Sequence, residues 1–144
     1  MTINQLSIFI ENRSGTLVKV LDILKQSGIQ IIASTIADTA EYGIYRLICS
    51  EPTRAYQELK NAGVAVALSD VFALKLDNEP GKAADAVRII SDADISITYM
   101  YTFLWGGKGI LIFRTDQTEK AREVILRNEL SFIAEKDLVG RGES

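Results

Sequence analysis

Two small α+β domains in tandem, each a βαββαβ sandwich, are the architecture this 144-residue sequence predicts. Three observations predict it: an ungapped internal repeat, one element order read twice, and enough apolar residues for two modest cores. The repeat runs end to end at a constant offset of 66 residues, superposing Ile8 on Leu74, Asn12 on Asn78, Gly15 on Gly81 and Gly43 on Gly109. Leu47 likewise falls on Phe113 and Leu59 on Ile125. A period this long carries several elements per unit, so it marks two copies of one domain rather than a solenoid. The expected division is residues 1–69 and 70–139, followed by a polar tail at 140–144.

The elements follow from periodicity, in chain order. Leu6 to Glu11 reads as a strand, apolar on one face and partly on the other. Thr16 to Ser27 is helical, because Leu17, Val20, Leu21 and Leu24 fall at i, i+3, i+4 and i+7. Gly28 ends that helix just beyond its last turn. Ile29–Asp38 and Tyr42–Cys49 form a hairpin around Thr39-Ala40-Glu41. A second helix starts at Pro52, tolerated in a first turn, and ends before Gly63. Val64–Leu68 closes the first copy.

The second copy repeats the order. Val71–Leu76 is a strand, and Lys82–Asp92 is a helix with Ala83, Ala86, Val87 and Ile90 inward. Ile95–Leu104 and Lys108–Thr115 form a hairpin turned by Gly106-Gly107, Thr118–Asn128 is a helix, and Leu130–Ala134 a strand. Right-handed β-α-β crossovers in this order give an antiparallel sheet with both helices on one face, the ferredoxin-like sandwich. Units of this size bury only ~60% of their unfolded surface, so further covering surface and a homodimer or larger assembly are expected.

Composition narrows the chemistry. The chain is 47% hydrophobic and 24% charged with a net charge of −3, an ordinary soluble composition whose mild acidity argues against a nucleic-acid partner. It has no histidine, which removes Ser–His and Cys–His catalysis, His-ligated zinc and the usual neutral-pH general base. Its one cysteine, Cys49, excludes an intramolecular disulfide and reads as a small buried strand residue. The start carries no secretory pattern and no apolar run approaches ~20 residues, so a cytoplasmic chain without membrane spans is expected. Neither a cofactor nor a metal site nor a catalytic residue is expected.

The loop after each first strand carries the sharpest signal. Glu11-Asn12-Arg13-Ser14-Gly15-Thr16-Leu17 aligns with Asp77-Asn78-Glu79-Pro80-Gly81-Lys82-Ala83. The shared skeleton is an acidic residue, Asn, two variable residues and Gly, leading into an amphipathic helix. Gly permits a positive φ, Asn can bond the loop backbone, and the helix start offers free N–H groups to a carboxylate. Local chemistry leaves two readings open: a competent strand-to-helix turn, or a cradle for a ligand.

These loops, with Gly28-Ile29-Gln30-Ile31 and Asp94-Ile95-Ser96-Ile97 closing the helices that follow, resemble the signature of ACT domains. The resemblance covers both copies and implies a tandem ACT-domain protein without an attached enzyme. ACT domains are regulatory modules that bind small effectors, most often amino acids, between the first loop of one copy and the second strand of a neighbouring copy. By position, the resemblance marks Ile10, Asn12, Arg13, Ser14, Gly15, Thr16 and Leu17 with Gln30, Ile31 and Ile32. In the second copy it marks Leu76, Asn78, Glu79, Pro80, Gly81, Lys82 and Ala83 with Ser96, Ile97 and Thr98. The copies differ at Arg13 against Glu79 and at Gly28 against Asp94, so the two loops are not expected to be equivalent. Arg13 would favour a ligand carboxylate at the first.

Other patterns in the chain are weaker. Gly106-Gly107-Lys108-Gly109 has phosphate-loop composition but sits in a hairpin and lacks the following Ser/Thr, so it reads as a turn. Tyr99, Tyr101, Phe103 and Trp105 share one strand face and could stack bases, but a buried sheet interface fits the acidic chain better. The expected function is a sensor of an amino acid that signals to a partner enzyme or regulator. The alternative is a regulatory subunit that packs on a partner without a ligand. A ferredoxin-like hydrolase of acylphosphatase type would need an Arg-bearing phosphate loop, which only Arg13 with Asn12 approaches.

Overall fold

The computed structural model describes residues 1–11, 15–38 and 42–142; side chains are described for these except Asp38 and residues 139–142. Among the described residues it contains six strands and five helices. They run β1 (Ile3–Glu11), α1 (Thr16–Gln26), β2 (Ile31–Asp38), β3 (Tyr42–Cys49), α2 (Pro52–Asn61) and β4 (Val66–Leu76). Then follow α3 (Lys82–Asp92), β5 (Tyr99–Trp105), β6 (Lys108–Arg114), α4 (Thr118–Arg127) and α5 (Glu135–Gly142). The chain forms two compact units, one of Asn4–Ser69 with the stretch from Lys136 on, the other of Met1–Ile3 with Asp70–Glu135.

In the first unit β3 lies between β2 and β1, and the start of β4 lies beside β1. There the Phe9 N–H donates to Ala65 O at 3.0 Å. In the second unit β6 lies between β5 and β4. Both orders are those of the ferredoxin-like sandwich predicted from the crossovers.

The repeat is visible in register as well as in sequence. β1 pairs antiparallel with β3 as Leu6↔Leu47, Ile8↔Tyr45 and Ile10↔Gly43. β4 pairs with β6 as Phe72↔Phe113, Leu74↔Leu111 and Leu76↔Gly109, each pair displaced by the same offset. Opposed residues on antiparallel strands share a face, so each set presents one apolar surface to its helices. Leu6, Ile8, Tyr45 and Leu47 bury against Val20 and Leu24 of α1 and Ala55 and Leu59 of α2. Their repeat partners Phe72, Leu74, Leu111 and Phe113 bury against Ala86 and Ile90 of α3 and Ala121 and Ile125 of α4. Phe72 and Phe113 stack at 5.1 Å between ring centroids. Cys49 is buried, as its strand position implies.

Several elements depart from the sequence expectation. Val64–Leu68 and Val71–Leu76 are not two strands joined at Ser69-Asp70. They are one strand, β4, which no Gly or Pro interrupts and whose second half is held by its pairing with β6. The expected strand Leu130–Ala134 is a single antiparallel bridge, Leu74↔Phe132, flanked by Lys75 N–H to Ser131 O and Ile133 N–H to Ala73 O, each 2.9 Å. β5 begins at Tyr99 rather than Ile95, since the Ser96 N–H is taken by the Gln117 side chain (Oε1, 2.8 Å). The helix α5 was not legible from periodicity; it buries Leu138 alone among its described side chains.

Candidate functional site

Gly15 and Gly81 occupy the N-cap positions of α1 and α3 with φ of 95° and 88°, the left-handed backbone expected of the two loops. Among the described residues neither helix has a side-chain cap, and at α3, whose preceding loop is described in full, first-turn N–H groups point out of the N-terminus without a side-chain acceptor. The loop residues Asn12, Arg13 and Ser14 lie outside the described residues, as do Thr39, Ala40 and Glu41 of the first hairpin. Of the first copy's candidates, Ile10 is buried, while Thr16 and Leu17 are half-buried at the start of α1.

The second loop is described in full. Glu79 N–H donates to Asp77 O at 2.9 Å, and Lys82 N–H lies 3.4 Å from Glu79 O, which turns the chain into α3. Beside this turn lies a cavity of about 360 Å³. One wall is the loop and first turn of α3: Leu76, Asp77, Asn78, Glu79, Lys82 and Ala83. The other is the hairpin end, Thr102, Phe103 and Leu104 of β5 with Gly109 and Ile110 of β6. Pro80 and Gly81 are exposed in the turn between the wall residues.

Register explains why a cavity forms there. Thr102 pairs with Leu111 and Leu104 with Gly109, so Thr102 and Leu104 look toward the helix side of the sheet. At that end of the sheet Gly109 supplies no side chain. A Cβ added to it would meet Leu76 O at 3.7 Å and Leu76 Cβ at 3.9 Å, ordinary contacts. Leu104 therefore stays 65% exposed. Its neighbours Tyr99, Tyr101, Phe103 and Trp105, expected in a buried sheet interface, are half-buried, while the alternate positions Met100, Thr102 and Leu104 are exposed.

The charges at the mouth are balanced. Lys108 Nζ lies 2.7 Å from Asp77 Oδ1 and joins the hairpin to the loop. Its hydrogen bond and charge hold the Asp77 carboxyl below the ordinary carboxylate value, and the same bond raises Lys108 above the ordinary lysine value. Lys82 Nζ stands 3.9 Å from Glu79 Oε2, an opposed pair too long for a hydrogen bond.

Gln30–Ile32 and Ser96–Thr98 do not join these loops within a unit. Thr98 lies about 20 Å along the strand direction from Leu104, at ~3.3 Å per residue. Their backbone donors are engaged locally: Gln30 N–H to Ser50 Oγ at 3.0 Å, Ser96 N–H to Gln117 Oε1, and Thr98 N–H to Arg114 O at 2.8 Å. Sequence reasoning missed Asp77, Thr102, Leu104, Lys108 and Gly109 as a group. A ferredoxin-like order sets β4 beside β6 but does not fix their register, so the pairing Leu76↔Gly109 that brings Asp77 to Lys108 had no signal in the sequence. Among the described residues no group of three His, Cys, Asp or Glu side chains could hold a metal, and no helix is long and apolar enough to cross a membrane.

A family model described as an ACT domain pair matches residues 1–141. A crystal structure of a Bacteroides thetaiotaomicron protein is similar at 35% identity and a TM-score of 0.91, with 96% of each chain covered. The ligand-free regulatory subunit of aspartate kinase from Thermus thermophilus shares the fold at 14% identity and a TM-score of 0.61, over 86% of this chain and 91% of that one. The corresponding subunit from Thermus flavus does so at 15% identity and 0.57, over 86% and 90%. No curated protein matches the chain.

Proposed function

The chain belongs to the ACT domain pair family, and on that premise we propose that it is a regulatory protein that binds an amino acid and reports its presence to a partner enzyme or regulator. The observation that carries this reading is the cavity at the start of α3. Two acids, two bases and an uncapped helix N-terminus converge there on a partly apolar slot. Such a concave site with few polar groups on an apolar wall suits a small charged metabolite. The regulatory half of the reading is supported by the family and by the aspartate kinase regulatory subunits that share the fold. The reading assigns no chemistry to the chain, in keeping with its lack of histidine. The marked residues of both copies remain part of the proposal, with Leu76, Asn78, Glu79, Lys82 and Ala83 the ones that line the cavity.

A ligand bound only by the folded state must raise the melting temperature, by RT ln(1 + [L]/Kd) in stability, or ~2.7 kcal/mol at one hundred times Kd. A thermal-shift screen against the twenty amino acids at millimolar concentration, followed by calorimetry on any hit, is the test. At least one amino acid is expected to raise the melting temperature. A flat response to all twenty would favour the ligand-independent interaction subunit instead.

A further inference from the structure

We infer that the second unit's cavity accepts a zwitterionic amino acid with a neutral apolar side chain, its head group between Glu79 and Lys82 in a slot whose walls Asp77 and Lys108 tie together. The inference rests on reading this cavity as a ligand site and goes further by naming what it selects. Glu79 and Lys82 attract each other across 3.9 Å without closing a hydrogen bond, and both are substantially exposed. An ammonium group can settle on Glu79 while a carboxylate meets Lys82 Nζ and the uncapped first turn of α3.

Asp77 and Lys108 do not compete for that head group, because they are committed to each other at 2.7 Å. Their bond spans from the loop wall to the hairpin wall and sets the width of the slot. Beyond the head group, the lining offers Leu76, Ala83 and Leu104 around the bare backbone of Gly109. A ligand side chain lying there meets this apolar surface, the neutral polar groups of Asn78 and Thr102, and no uncommitted charge. An acidic or basic side chain would lose hydration without a partner, which is costly, whereas an aliphatic one covers Leu104. The volume of about 360 Å³ leaves room for a side chain of several heavy atoms.

Calorimetry on the full chain at neutral pH tests this with L-leucine, L-glutamate, L-lysine, isoamylamine and 4-methylpentanoate. Leucine is expected to bind at least about ten-fold tighter than each of the others, equivalent to ~1.4 kcal/mol. The last two each lack one charge of the head group. Glu79→Gln and Leu104→Glu change exposed side chains, and Gly109→Val fills the slot from a position that accepts a Cβ; each should weaken leucine by about ten-fold or more. Melting curves without ligand establish that the variants are folded. Preference for glutamate or lysine would overturn the inferred class while leaving amino-acid sensing intact. Leucine binding that none of the folded variants disturbs would overturn the site. Failure of all twenty amino acids to bind would overturn the sensing reading itself, and this inference with it.

Discussion

Asp94 and Glu129 adopt backbone that the first copy assigns to glycine. Their φ values of 59° and 54° are left-handed, as are those of their repeat partners Gly28 (70°) and Gly63 (82°). Each follows the C-cap of its helix, where an acidic side chain also faces the negative end of the dipole. Replacing either by Gly removes a Cβ from a strained φ, so Glu129→Gly should stabilise by about 1 kcal/mol and Asp94→Gly by less, since Asp tolerates this region better. For a chain of this size, 1 kcal/mol moves the melting temperature by roughly 2–4 °C. The converse holds at the loops. Gly15→Ala and Gly81→Ala should each cost on the order of 1 kcal/mol. A Cβ there meets nothing within 4 Å, so the cost is conformational rather than a clash. Urea denaturation of the four variants measures both signs, and unchanged stability in the two alanine variants would show that neither loop needs its left-handed backbone.

At the scale of elements, equivalent positions should carry equivalent weight. Leu24 of α1 and Ile90 of α3 are repeat partners, both buried against their own sheets. Leu24→Ala and Ile90→Ala should each cost about 2–5 kcal/mol, measured by chemical denaturation. The Asp77–Lys108 bond joins two elements of the second unit and has a defined pH window. Asp77 titrates below 3.8 when folded, so its contribution is present above that value and lost as pH falls through the depressed one. Lys108 titrates above 10.5 when folded, so its contribution is present below that value and lost as pH rises through the raised one. The stability difference between the native chain and Asp77→Asn should therefore stay constant from about pH 5 to pH 9. A difference that changes inside that window would mean that the pair does not form in solution.

For the whole molecule, the proposal of amino-acid sensing carries an assembly with it. β5 leaves Met100 at 42% and Leu104 at 65% exposure on a sheet edge, and Phe9 at 52% and Ile36 at 47% are uncovered in the first unit. Apolar surface of this kind on strands is what a further chain covers. We expect light scattering to give at least twice the chain mass of 15.9 kDa, and the single-chain mass at every concentration would remove this expectation.

The sequence by itself determined the twofold repeat, the α+β class, both helices of each copy and the face that the first helix of each copy buries. Those features rest on local periodicity: Leu17, Val20, Leu21 and Leu24 announce a buried face whatever they pack against, and the offset of 66 residues transfers that face to Ala83, Ala86, Val87 and Ile90. It also located the left-handed turns at Gly15 and Gly81, because only a few residue types accept that backbone. Tertiary structure alone decided that residues 66–76 are one strand, that residues 131–133 supply a bridge rather than a strand, and that Leu138 is buried in a helix. It decided the cavity too. That site depends on Leu76 standing opposite Gly109 and on Asp77 reaching Lys108, contacts between segments more than thirty residues apart. Periodicity within a segment reports which face is apolar, but the gap left where two segments meet is set by their register and by the side chain that glycine lacks.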